Sequence, residues 1–327
     1  MLPPLPNNTI LRQRYRITNI VGQGGMGSIY RAEDTRLPGR FCAIKEVQPD
    51  PNATVELRLQ AQQQFLQEAS ILARLDHPNL PKVSDFFNQD GRDYLVMDFV
   101  PGKDLREVGD ETWGQGQVLS EKVVLSWAEQ IIDALIYLHQ HDPPVLHRDI
   151  KPSNIKLTPD GRIKLVDFGL VKLLDESDVR TITVVQGRGS ALYTPLEQYG
   201  GDTGHTDIRS DIYALGATLY QLMTGQMPPS AKGRFLNPGK MRSPQALNPQ
   251  ISRKVSDAVL WAMEMHPDDR PENLMVFRQV LLGDMSRPGP RTPPPPTDDL
   301  ASAIGENRGL LLLILALFLL AVALTIF

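Results

Sequence analysis

The octapeptide His147-Arg148-Asp149-Ile150-Lys151-Pro152-Ser153-Asn154 constrains this chain more than any other stretch. Asp149 offers a carboxylate that accepts a hydroxyl proton, Lys151 a cation for transferring phosphoryl charge, and Asn154 an oxygen for a metal ion. Five fixed positions of this kind recur by chance about once in three million starts. Eighteen residues beyond Asp149 stands Asp167-Phe168-Gly169, directly after the apolar run 163–166. A carboxylate at a strand end beside a glycine suits Mg2+, which takes one or two carboxylates and completes its shell with substrate phosphates and water.

Upstream, Gly22-Gln23-Gly24-Gly25-Met26-Gly27-Ser28-Ile29 lies between two β-rich runs. Glycines let backbone N–H groups approach phosphate oxygens without a Cβ clash, yet the segment alone fits an ordinary glycine-rich turn equally well. The run after it reads as a strand and not a helix, which argues against a dinucleotide-binding turn. Cys42-Ala43-Ile44-Lys45 then sets a lysine at the end of an apolar strand, either as a solvated strand end or as a phosphate ligand. A phosphate-binding lysine needs a carboxylate to hold its flexible stem; Glu68 on the next helix is a candidate, and Glu46 and Glu56 remain open.

The chain has 327 residues and 41% hydrophobic composition, enough for two lobes with a full core. A net charge of −4 gives no basic field for nucleic acid, and the single cysteine excludes a disulfide framework or a multi-cysteine metal cluster. Residues 1–14 form a Pro/Asn-rich leader without the features of a secretory signal. Residues 15–283 form the folded body. Its first part carries short β-rich runs at 15–19, 28–33, 41–47 and 94–99, interrupted by a helical pattern at 60–75. From residue 121 helices dominate, at 123–139, 211–224 and 255–265, with the junction near 99–102. Residues 284–308 hold six prolines and form an extended linker. Residues 309–327 complete the chain as a membrane helix, since 310–327 bear no charge and nine leucines. Arg287, Arg291 and Arg308 on its N-terminal side place the body in the cytoplasm as a single-pass membrane protein, with no further domain expected beyond Phe327.

Glycine loop, strand lysine, helix glutamate, His-Arg-Asp loop and Asp-Phe-Gly, in that order, resemble the protein-kinase signature set. The Gly-Gly-Met-Gly form and the C-terminal anchor are similar to bacterial eukaryotic-like serine/threonine kinases. The resemblance covers residues 15–283 and implies a bilobal α+β fold, with a five-stranded antiparallel N-lobe holding one helix and a helical C-lobe. It implies transfer of the γ-phosphoryl group of Mg-ATP, with Mn2+ as an alternative metal, to Ser/Thr hydroxyls of protein substrates. Neighbouring copies of the chain would be among those substrates, by autophosphorylation in trans.

By the same resemblance, Asp149 is the catalytic base and Lys151 a γ-phosphate contact. Asn154 and Asp167 are the metal ligands. Gly22, Gly24, Gly27, Ile29, Ala43, Lys45, Glu68, Met97, Asp98 and Val100 form the ATP site; Lys45 pairs with Glu68, Met97 is the gatekeeper, and the backbone of 98–100 binds adenine. Leu72, Val83, His147 and Phe168 stack as a spine anchored by Asp211, and Arg270 pairs with Glu197. Arg148 and Lys172 would receive a phosphate on Thr181 or Thr183, with Arg188 as a third cation. Ser190 stands in a threonine's place, and Pro195-Leu196-Glu197 replaces Ala-Pro-Glu. Lys156 replaces an apolar floor residue of the adenine pocket, its stem packing there with the ammonium turned to solvent.

Blander readings cover the rest. His139 and His141 are expected to face solvent or cap their helix, and Trp113, Trp127 and Trp261 to pack as core or rim. Cys42 is expected to pack as a small hydrophobe near the nucleotide. The rival functions are a scaffold that binds nucleotide without chemistry and a sensor whose signal enters through the membrane.

Overall fold

A computed structural model describes residues 3–24, 27–48, 53–167, 190–199, 206–283 and 285–288. The first part is an antiparallel sheet of β1 (Ile10–Leu11), β2 (Tyr15–Gly24), β3 (Gly27–Asp34), β4 (Phe41–Val47), β5 (Val83–Gln89) and β6 (Arg92–Asp98), in the order β1-β2-β3-β4-β6-β5. That is six strands where five are expected. The sixth comes from the leader, where Leu11 inserts into a small core of Tyr15, Ile17, Tyr30, Ala32, Cys42, Ile44, Tyr94 and Val96.

The leader is bonded to the sheet well before β1. Leu5 N–H donates to the Tyr30 hydroxyl at 2.9 Å, and Asn8 N–H to the Ile17 carbonyl at 2.8 Å. Arg92 bridges the Pro3 carbonyl at 3.2 Å and Glu46 at 2.7 Å. Glu46 is 1% exposed and also accepts from the Tyr30 hydroxyl and Gln48, so polar groups converge from several elements to satisfy one buried carboxylate.

Residues alternate between faces along a strand. On β4, Cys42 and Ile44 are buried in that small core, which leaves Ala43 and Lys45 on the opposite face. Cys42 therefore packs as a small hydrophobe but turns away from the Lys45 side, contrary to the expectation of a place near the nucleotide. Burial pushes its thiol up to about 11, so it stays protonated.

Helix α1 (Val55–Leu72) starts earlier than its apolar spacing predicts, because Thr54 caps it by accepting from Leu57 N–H. It buries Phe65, Glu68, Ala69 and Leu72. After β6 the chain crosses at 99–102 into β7 (Lys103–Asp104), α2 (Leu105–Gly114) and α3 (Glu121–His139). Strands β8 (Ile155–Leu157) and β9 (Ile163–Leu165) join β7 in a second small sheet. Helix α4 (Ile208–Thr224) comes next, then the short α5 (Ala231–Leu236) and α6 (Pro244–Leu247), and finally α7 (Arg253–Ala262) and α8 (Leu274–Leu281). Every residue of α4 from Ser210 to Thr224 is buried, and Gly225, at φ 70°, ends it. It is the post around which the helical half packs.

Residues 289–327, with the greater part of the linker and the whole apolar run 310–327, lie outside the described residues. Among the described residues no helix is long and apolar enough to cross a membrane.

Candidate active site

The His-Arg-Asp loop hangs from α4. Asp211, fully buried, accepts from the His147 N–H at 2.9 Å and from the Arg148 N–H at 2.8 Å, and its Oδ2 also bonds His139 Nε2 at 2.9 Å. Burial works to raise its pKa, but the His139 bond and the charges of His139 and His147 outweigh that and hold the carboxyl below its usual range. His139 is thus a half-buried partner of Asp211, not the solvent-facing or capping residue expected. His141 bonds the Tyr137 carbonyl at 2.8 Å at the helix end. Burial also holds the His147 imidazole below its usual range.

Suspended in this way, Arg148 adopts a left-handed backbone at φ 63° and turns Asp149 outward. Asp149 Oδ2 accepts from Lys151 Nζ at 2.7 Å and from Asn154 Nδ2 at 2.8 Å, while Asn154 Nδ2 also reaches the Asp149 carbonyl at 2.8 Å. Both side-chain bonds fall on one oxygen, Oδ2. A short 3-10 turn (Pro152–Asn154) sets this spacing, with Asn154 buried just before β8.

Asp167 stands just past β9, also left-handed at φ 59°. Its carboxylate forms an ion pair with Lys45 Nζ at 2.5 Å. Burial raises its pKa, and the charge and hydrogen bond of Lys45, with Lys151 and His147 behind them, more than reverse this. The expected Lys45–Glu68 pair is not among the ion pairs of the described residues. Glu68 is buried on α1, where its charge, behind that of Asp211, supports the Arg148 guanidinium against the burial that lowers Arg148's pKa. Arg148 Nε is itself buried with no hydrogen-bond partner among the described residues.

Gly22, Gly24 and Gly27 sit at the end of the β2–β3 hairpin, with Gly22 opposite Ile29 and Gly24 opposite Gly27. Gly27 has φ 147°, and a Cβ there would meet the Glu46 carbonyl oxygen at 2.1 Å, so the hairpin lies hard against β4. Ile29 pairs with Lys45 and Ala43 with Met97 across the sheet. Lys45, Leu72, Val83, Met97 and Asp167 share one small cavity with Leu75, Pro81 and Leu95. Asp98 leads through Val100 into the crossing. Lys156 does not simply face solvent, since its Nζ donates to the Gly102 carbonyl at 3.2 Å.

Farther out, Arg270 holds Glu197 through two parallel bonds of 2.6 and 3.0 Å, and Ser210 adds a third to the same carboxylate. Ser190 opens the 3-10 turn Ser190–Leu192. Phe168, Lys172, Thr181, Thr183 and Arg188 lie outside the described residues. Sequence reasoning missed His139, and also Arg31 and Arg40, which flank the crossing; the signal available for the arginines was their position on or beside strands already assigned.

The two residues expected to hold a metal, Asn154 and Asp167, both offer hard oxygen donors. Among the described residues no group of three or more His, Cys, Asp and Glu could hold a metal. Two protein oxygens fit Mg2+ that keeps water and takes its other ligands from a nucleotide.

Residues 15–281 match the protein kinase domain family. The chain is 32% identical over 283 residues to a probable serine/threonine-protein kinase of Clostridium perfringens, covering 85% of this chain and 38% of that protein. It is 36% identical over 265 residues to the serine/threonine-protein kinase PrkC of Bacillus subtilis, covering 79% of this chain and 38% of that one. The chain thus spans well under half the length of these relatives. The PknI kinase domain of Mycobacterium tuberculosis superimposes with a TM-score of 0.65 at 27% identity, over 85% of this chain and 97% of that kinase-domain chain.

Proposed function

The chain belongs to the protein kinase family, and from that membership we propose that it transfers the γ-phosphoryl group of ATP to serine and threonine hydroxyls of proteins. The observation that carries this reading is that Lys151 and Asn154 both bond the Asp149 carboxylate, on a loop fixed by Asp211.

In this reading Asp149 Oδ1 accepts the proton of the attacking hydroxyl as its oxygen bonds the γ-phosphorus, while the bond from that phosphorus to the β–γ bridging oxygen breaks and ADP leaves with the electron pair. Lys151, already held on Oδ2, neutralises charge on the phosphoryl oxygens in flight. Lys45 turns from Asp167 to share the α- and β-phosphates. Asn154 and Asp167 would hold Mg2+, which offsets phosphate charge and orients the transfer. The backbone of 98–100 takes the adenine, between Ile29 and Ala43 above and β8 below. Such chemistry asks for position and charge more than covalent help.

Regulation is assigned to Arg148. A half-buried guanidinium with an unpartnered Nε is suited to a phosphate, and Thr181 or Thr183 lies in the segment that would supply it. Neighbouring copies are the proposed source, since the apolar run 310–327 would tether them on one membrane face and raise their effective concentration. The test is phosphosite mapping by mass spectrometry of the purified chain after incubation with Mg-ATP, beside Asp149→Asn. Phosphoserine and phosphothreonine in the wild type alone, including residues 170–194, support the proposal. No phosphate in either protein, on itself or on a generic protein substrate, refutes it.

A further inference from the structure

The crossing between the two halves is gripped by cations at both ends. At its start Arg40 Nη2 donates to Asp98 Oδ1 at 3.2 Å. Beside it, the Arg31 guanidinium lies 3.9 Å from the centroid of the Phe41 ring and 5.0 Å from that of Phe99. Arg31 Nε is buried without a hydrogen-bond partner among the described residues, so that edge of the guanidinium is held by ring faces. Arg31 stands two residues from Ile29 on β3 and shares its face, opposite the small core that takes Tyr30 and Ala32.

At the other end the donor comes from the helical half. Ile155 is buried in the larger core, so its neighbour Lys156 points from the opposite face of β8. From there its ammonium reaches the Gly102 carbonyl at 3.2 Å. Gly102, at φ 106°, is pressed so closely on this strand that a Cβ would meet the Leu157 carbonyl oxygen at 2.1 Å. Arg31, on the Phe99 ring, and Lys156, on the Gly102 carbonyl, thus meet opposite ends of one short segment, each from a different sheet.

We infer that Arg31 and Lys156 are positioning residues for the nucleotide: between them they fix the 98–102 backbone, so that its carbonyl and N–H groups meet the base in place. The inference rests on the phosphotransfer reading. A segment already held loses little freedom on binding, so removing either cation weakens nucleotide binding with a smaller effect on the transfer step.

The test is calorimetric titration of the purified chain with the non-hydrolysable Mg-adenylyl imidodiphosphate, alongside steady-state kinetics in ATP. Arg31→Leu and Lys156→Met each raise Kd and KM for the nucleotide roughly three- to tenfold, with a much smaller change in kcat. Lys156→Arg, which restores a donor for Gly102, returns Kd to within about twofold of wild type. Lys156 is only half-buried, so its variants keep the test valid should Arg31→Leu fold poorly. Kd within about twofold of wild type for Lys156→Met, or a fall in Tm with KM unchanged, overturns the inference. Failure of the wild type itself to bind overturns the phosphotransfer reading beneath it.

Discussion

Lys45 and Asp167, 122 residues apart in sequence, meet in a 2.5 Å ion pair at the centre of the site. The pair joins β4 to the end of β9 and so spans the cleft in which the phosphates would lie. Each charge offsets the other, and Glu68 sits where its charge acts on Arg148.

Replacing that lysine separates chemistry from folding. Lys45→Met should lower phosphoryl transfer by about 10²-fold or more, since it removes a fixed cation from the phosphates. The Lys45 side chain sits on the cleft face and not in the small core, so unfolding should remain cooperative. Transfer assays with urea denaturation on the same preparation check both; wild-type turnover would displace Lys45 from the ATP site.

The hub at Asp211 should be costly to remove. Asp211→Ala leaves the His147 and Arg148 N–H groups and the His139 imidazole without their common acceptor in a fully buried place. Losses of this kind run to about 3 kcal/mol or more. Chemical denaturation should show it, and a variant within about 0.5 kcal/mol of wild type would mean the loop is held elsewhere.

The leader should behave as part of the body. Removing residues 1–9 takes away the Leu5–Tyr30 and Pro3–Arg92 bonds around buried Glu46, along with the Asn8–Ile17 bond. With the Ile17 N–H bond to the Thr9 carbonyl also lost, about 1–3 kcal/mol is expected from four such bonds in a partly buried network. Equal denaturation midpoints for the two lengths would show that these contacts contribute nothing.

Asp34 should mark the acid side of stability. The Arg14 guanidinium donates to both its oxygens, at 2.9 and 2.7 Å, and this bonding outweighs burial to hold the carboxyl below its usual range. In the unfolded chain an aspartate titrates near about 3.9. A depressed folded pKa gives stability that is full above that value and is lost as the pH falls through the folded pKa. The Tm difference between wild type and Asp34→Asn should therefore be steady from about pH 7 to 5 and shrink below about pH 4. A difference independent of pH would contradict the role given to the charge.

How far the sequence reaches depends on the distance over which a feature is decided. Local patterns are enough for β3, β4 and the helices α3, α4 and α7, and the motif 147–154 marks Asp149, Lys151 and Asn154, though not the bonds of the latter two to Asp149. Strand β5 is harder to see because Asp85, Asn88 and Gln89 interrupt its alternation. The leader's prolines read as loop, yet Leu5 and Leu11 pack because Tyr30 and its neighbours offer a bond and a core. The partners of Lys45 and His139 are set by elements distant in sequence, which no local spacing encodes. The direction of Cys42 was legible, since Lys45 lies three residues on and odd spacing along a strand means opposite faces.

The central claim is that Asp149 serves transfer and not binding or folding. The most direct measurement is a single-turnover comparison of wild type and Asp149→Asn at saturating Mg-ATP, with nucleotide affinity determined in parallel. The predicted result is a transfer rate lower by about 10³-fold or more, with affinity changed by less than about threefold. Transfer by Asp149→Asn at a rate near that of the wild type would contradict the account.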